Sequence, residues 1–211
     1  MRALRRLRNA LKGNTKIASE DRWDDLGFIE RQRLKLKLGL NPLTNIVLKN
    51  KGHYLASNAN HAGTTRSGIG IARVAKDTPA SVEAHELGHL THANNPVEDA
   101  LSYVGHNMGD ASAILPGAMA ALSDPDSAAS KYAPLVGAAL AAPKLTLEAL
   151  ASYRGLKALK EIRPEESILP AAIAQLSYPV SLLAPAVLAP MMIRSKKLED
   201  RQKKLQENNN E

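Results

Sequence analysis

Two histidines four residues apart, with a glutamate directly after the first, form the block His85-Glu86-Leu87-Gly88-His89. These residue types at this spacing fit one chemical task closely. On a helix, the spacing brings both imidazoles to one face, one turn apart, where both can reach a single zinc ion. Glu86 is then beside the metal and able to accept a proton from an activated water. Leu87 and Gly88 face elsewhere. A glycine costs a helix interior about 1 kcal/mol relative to alanine, so Gly88 implies that something packs closely on it. The plain alternative is a pair of histidines on a solvated or core face. Context separates the two, because the block falls on an expected helix that follows an expected strand. The chain has no cysteine, which excludes disulfide scaffolds, thiolate metal sites and cysteine nucleophiles. Any metal must be held by histidines and carboxylates.

A catalytic zinc keeps three protein ligands and one open position. Metzincins place a glycine and a third histidine where this chain has His92 and Asn95, so that class does not fit. His92 lies near the same face, as a ligand, a support for one, or a surface residue. The third ligand is then expected to be a carboxylate from a separate helix, with Glu98, Asp99, Asp110 and Glu148 as candidates. Glu148 sits in KLTLEALASYRGLKALK, an amphipathic stretch whose small-residue face suits close approach to the zinc helix. Ser152, one turn later, is placed to orient a ligand. The alternative for Glu148 is a surface pair with Arg154 or Lys144. A donor must also stabilise the developing oxyanion. His106, Tyr103, Tyr153 and Arg154 are candidates, and the sequence does not select among them.

The elements that must position these residues follow from composition and pattern. The 211 residues carry 28 Lys+Arg against 21 Asp+Glu, a net charge of +7, with 44% apolar and 3% aromatic residues. That fits one domain with an aliphatic core and excludes a chain disordered throughout. The fold class expected is α+β, mostly helical. Residues 1–18 read as a basic amphipathic arm with Leu4, Leu7 and Leu11 on one face. The arm suits anionic lipid or a solvated role, and nucleic acid less so because no aromatics are interleaved. It lacks the apolar run of a secretory signal.

The domain is expected over 19–193. A helix runs from Ser19 to about Arg33, and Leu34, Leu36 and Leu38 then alternate with lysines in a helix or a strand. Strands are expected at 45–49, pairing back with 53–57, and at 68–75; the stretch 58–68 reads as loop. The last strand, with Gly68, Gly70, Ile71 and Arg73, is read as an exposed edge for an extended substrate. Thr78 is the expected N-cap of a helix over Pro79–His92, which Asn94-Asn95-Pro96 stops. Two Ala-rich pieces follow within 111–142, split at Ser123-Asp124-Pro125-Asp126. Each is too short for a full span and suits a re-entrant or soluble hairpin. Residues 168–193 contain no charge and exceed the roughly 20 residues that span a bilayer. Pro179 allows a hairpin turn there. The charged tail 194–211 is expected to fray.

With these residues in view, the chain resembles the neutral zinc metallopeptidases of the YugP type over roughly Leu40 to Met192. The resemblance rests on Gly52-His53-Tyr54, on AHELGH at 84–89, and on Leu147-Glu148-Ala149-Leu150-Ala151-Ser152. It implies a zincin-like core with a small sheet, an active-site helix, a downstream glutamate-bearing helix and apolar helical hairpins. It also implies one zinc ion on His85, His89 and Glu148, with Glu86 as catalytic base, and peptide or protein substrates. In that family, membrane-embedded helices fill the interval between the histidines and the glutamate. The implied setting is a membrane-associated peptidase with its site on the cytoplasmic side and lipid as a partner. Two other readings are a soluble peptidase of the ImmA/IrrE type, with Glu98 or Asp110 as third ligand, and a non-catalytic interaction protein with a relic metal site.

Overall fold

The computed structural model describes residues 26–41, 44–49, 61–64, 70–75 and 78–209. The arm at 1–18, the segment 53–57 and Gly68 lie outside the described residues. Along the chain come α1 (Phe28–Lys37), β1 (Asn45–Lys49), β2 (His61–Thr64), β3 (Gly70–Ala75) and α2 (Ala80–His89). A 3-10 turn (Leu90–Asn94), α3 (Pro96–Leu122), α4 (Ala128–Ile162), α5 (Leu169–Leu183), a π turn (Ala184–Leu188) and α6 (Ala189–Asn208) complete it. The protein is mostly helical, as expected.

Helix α1 settles the ambiguous stretch in favour of helix to Lys37. Leu34 is fully buried and Leu36 is 81% exposed, so the leucine alternation samples two sides of a helix. Gly39, at φ +64°, ends it in the left-handed conformation glycine adopts without strain. Two forked ion pairs tie α1 to the rest. Arg31 binds Glu83 at the start of α2, and Arg163 at the end of α4 binds Glu30. The Arg163 fork holds the Glu30 carboxyl down to about 2.

The strand order is β1-β3-β2, with β1 parallel and β2 antiparallel to β3. This corrects two expectations. β3 is central and not an edge, so Gly70, Ile71 and Arg73 have strands on both sides and no room for a substrate strand. β2 lies inside the stretch read as loop; its small polar residues give no strand pattern, and pairing with β3 defines it. Ala72 and Val74 are fully buried while Arg73 is exposed, the alternation of a sheet with one covered face.

Helix α2 is enclosed, with every residue from Ala80 to Gly88 buried. Pro79, not Thr78, holds its N-cap position, and no side-chain oxygen caps it. The positive end of the helix dipole is met by Glu83. The α-helix stops at His89, three residues early, and tightens into the 3-10 turn that carries His92.

The pieces at 111–142 do form a hairpin, but as the ends of much longer helices of 27 and 35 residues. The expected hairpin at 168–193 is absent: α5, the π turn and α6 form one rod over Leu169–Asn208. Proline bends a helix, but reversing the chain also needs turn residues, and Tyr178 and Val180 beside Pro179 supply none. Nor does the tail fray before Asn208. The Lys197 ammonium donates to the carbonyls of Ala120, Ala121 and Ser123 at 3.1, 2.6 and 2.7 Å. Arg194 donates to the Pro125 carbonyl. Ala128–Ile162 and Leu169–Asn208 are long and apolar enough to cross a membrane.

Candidate metal centre

Two glycines, one on each helix, set the geometry of the site. A Cβ on Gly88 of α2 would lie 2.1 Å from the Ala151 carbonyl oxygen, and one on Gly155 of α4 would lie 2.0 Å from that of Ala84. The backbones of α2 and α4 therefore touch in a way no other residue permits. Glu148, Ala151, Ser152 and Gly155 form a stripe on α4, with Glu148 one turn before Ser152. That stripe delivers Glu148 to the face carrying His85 and His89.

Three atoms converge there. His85 Nε2 and His89 Nε2 are 3.2 Å apart, and Glu148 Oε2 lies 3.1 Å from His89 Nε2 and 3.4 Å from His85 Nε2. Ligands about 2.0–2.1 Å from a tetrahedral metal sit about 3.3 Å from one another, so the triangle has the size such an ion requires. Its chemistry agrees. His85 Nδ1 is 2.7 Å from the Ser152 hydroxyl; with its proton directed there, Nε2 presents a bare lone pair. A lone pair and a carboxylate oxygen this close can share a proton or a metal cation between them. The side chains of His85, Glu148 and His89 are 5%, 11% and 19% exposed, so the cluster is buried and most open at His89. The group can hold a metal ion.

Glu86 is 4% exposed and has no hydrogen-bond partner among the described residues. Burial pushes its carboxyl up to about 7, with His85 opposing and the Glu148 charge adding to the rise. A divalent cation in the cluster acts in the opposite direction. Glu86 is thus a buried carboxylate with no hydrogen-bond partner among the described residues, next in sequence to His85.

The other candidates are placed elsewhere. His92 donates from Nδ1 to Glu98 Oε2 at 2.8 Å, and its buried Nε2 has no partner among the described residues. Glu98 is not a ligand in this arrangement: Arg154 grips both its oxygens at 2.6 Å. That fork, with burial opposing and His92 assisting, holds the Glu98 carboxyl at about 2. Arg154, so engaged, is not a free oxyanion donor. Asp99, Asp110 and His106 are exposed. Tyr103 is 77% and Tyr153 64% exposed, the latter with Lys157 over its ring at 6.0 Å. Lys144 makes no ion pair with Glu148 or with any other acid among the described residues; its stem lies across Gly109. Sequence reasoning missed Tyr178 on α5, whose ring centroid is 6.2 Å from that of His85. The available signal was a lone phenol within an uncharged run. No protein-family model, no curated protein and no solved structure matches this chain.

Proposed function

We propose that the chain is a zinc-dependent metallopeptidase with a zincin-like core, associated with a membrane. One observation carries the reading: the triangle of His85, His89 and Glu148, sized for a tetrahedral ion, beside the uncommitted carboxylate of Glu86. Zinc in that position supplies Lewis acidity, bringing water toward its hydroxide form near neutral pH and polarising a peptide carbonyl. The chain's own residues do the rest. His85 and His89 hold the ion with Glu148, and Ser152 fixes the His85 ring. Glu86 takes the proton from the attacking water and passes it to the leaving amine as the C–N bond breaks.

An extended substrate fits best against β2, the outer strand that packs on α2 and the 3-10 turn. The membrane association draws on the two long apolar helices and on large apolar side chains left exposed along α3 to α6. Leu122, Leu135, Leu176, Val180 and Met192 among them are 67–88% exposed. The ImmA/IrrE-type ligand set loses its footing because Glu98 is neutralised by Arg154 and Asp110 is exposed.

The test is zinc stoichiometry on detergent-purified protein, followed by cleavage of a quenched peptide library. Expected are one zinc per chain, loss of metal in Glu148→Gln, and retained metal without cleavage in Glu86→Gln. A folded wild-type chain that binds no zinc, or a Glu148→Gln variant that keeps it, overturns the reading.

A further inference from the structure

The oxyanion donor is the part of this chemistry that the four candidates read from the sequence do not supply. Arg154 is spent on Glu98, while Tyr103 and Tyr153 stand in solvent. His106 is exposed on α3. The Ser152 hydroxyl faces His85 Nδ1, the side of the ring away from the triangle. One polar side chain from a third helix remains beside the cluster. Tyr178, half-buried on α5, holds its ring tilted at 40° to His85 with centroids 6.2 Å apart. Its hydroxyl has no hydrogen-bond partner among the described residues. The ring packs beside the imidazole that forms one corner of the triangle. α5 is seated there by its packing against α2 and α4.

We propose that Tyr178 is a catalytic residue whose phenolic O–H donates a hydrogen bond to the carbonyl oxygen of the scissile peptide as that oxygen becomes an oxyanion. This deepens the peptidase reading and rests on it. When the water oxygen bonds to the carbonyl carbon, the C=O π pair moves onto oxygen. The phenol stabilises that charge and keeps its own proton, while the proton from water goes to Glu86. A phenol suits the place because it is neutral at physiological pH. A cation there would compete with the metal for the two carboxylates. The hydroxyl of a tyrosine packed on His85, without a hydrogen-bond partner among the described residues, is left for a partner that arrives with the substrate.

The experiment compares zinc-loaded wild type, Tyr178→Phe and Tyr153→Phe. Each is measured for zinc content and for affinity toward a phosphoramidate dipeptide, whose tetrahedral phosphoryl oxygens imitate the oxyanion. Expected is unchanged zinc content in all three, with probe affinity weakened roughly 10- to 100-fold in Tyr178→Phe alone, as for a lost hydrogen bond to a charged group. On any library peptide that is cleaved, Tyr178→Phe should lower kcat with little change in KM. Equal probe affinity in wild type and Tyr178→Phe, with zinc intact in both, overturns the assignment and leaves the peptidase reading standing. Absence of zinc from wild type overturns both.

Discussion

Two buried glutamates, Glu98 and Glu148, each face imidazoles from the segment that runs from His85 to His92, and they differ in what neutralises them. Glu98 is 7% exposed and Glu148 8%, so neither has water to carry its charge. Glu98 has the Arg154 guanidinium on both oxygens, with His92 and Asn95 beside it. Glu148 has ring nitrogens at 3.1 and 3.4 Å and no lysine or arginine among the described residues. A buried carboxylate without a cation is costly. One cluster is therefore complete as folded, while the other has only its imidazoles to meet the charge and can hold a metal ion. Helix α4 serves both, presenting Glu148 to the first and Arg154, six residues later, to the second.

The most severe way to test this contrast is to remove each charge in turn. Glu148→Gln should weaken zinc binding by more than about 100-fold, beyond what is usual for losing a supporting residue. Glu98→Gln should leave zinc affinity within a fewfold while lowering stability. Calorimetric zinc titration of the two variants decides it, and equal losses would mean that the clusters are not separate.

Next in size is Arg154→Met, which leaves Glu98 buried without its partner. Breaking such a pair costs about 3–5 kcal/mol when fully buried; the Arg154 side chain is 32% exposed, which places this one near the low end. The acid dependence follows. Glu98 titrates at about 2 folded against an ordinary 4.5, so the unfolded chain binds protons more readily between those values. The pair's contribution, on the order of 3 kcal/mol, is present above about pH 4.5 and is lost as pH falls toward 2. Arg154→Met should flatten that part of the denaturation-midpoint curve; an unchanged acid limb would show that Arg154 does not set the Glu98 carboxyl.

How much of this was legible beforehand divides along the same contrast. The convergence of His85, His89 and Glu148 could be read, because a four-residue helical spacing and a small-residue face on KLTLEALASYRG report local geometry. The Glu98–Arg154 cluster could not. Glu98 was readable as a candidate ligand and Arg154 as an oxyanion donor, and only their mutual approach across 56 residues cancels both roles. The sheet order was hidden for a similar reason: β2 has no alternating pattern and exists through its pairing with β3. The rod through Pro179 was hidden because proline forbids less in a packed or membrane-facing helix than it does in a short soluble one. Tyr178 escapes the sequence because Pro179 suggests a turn back at that point, which removes the reason to place its neighbour at the site.

The close crossing of α2 and α4 gives the third expected effect. Gly155→Ala puts a methyl 2.0 Å from the Ala84 oxygen, which only movement of a helix relieves. A cost of about 1–3 kcal/mol is expected, together with weaker zinc binding as Glu148 is drawn back from the histidines. Gly109→Ala, which meets only the flexible Lys144 stem at 3.0 Å, should do neither. Matching chemical denaturation and zinc titration of the two variants checks the pair.

The smallest effect is the most specific to the contrast. His85 and His92 are both held through Nδ1, the first by the Ser152 hydroxyl and the second by a carboxylate. In both rings that bond directs Nε2: toward the triangle in His85, and in His92 into a buried position without a partner among the described residues. Orientation by a neighbour is therefore not enough to make a candidate ligand, because the other nitrogen must also meet a carboxylate that no arginine or lysine holds. Ser152→Ala frees the His85 ring and removes its Nδ1 acceptor without touching the triangle. Zinc affinity should fall about tenfold, at the low end for loss of a ligand's hydrogen-bond partner, with the unfolding midpoint of the metal-free chain nearly unchanged. A loss of stability without a loss of affinity would assign Ser152 to the helix crossing alone, and Glu148 would then hold the His85 ring unaided.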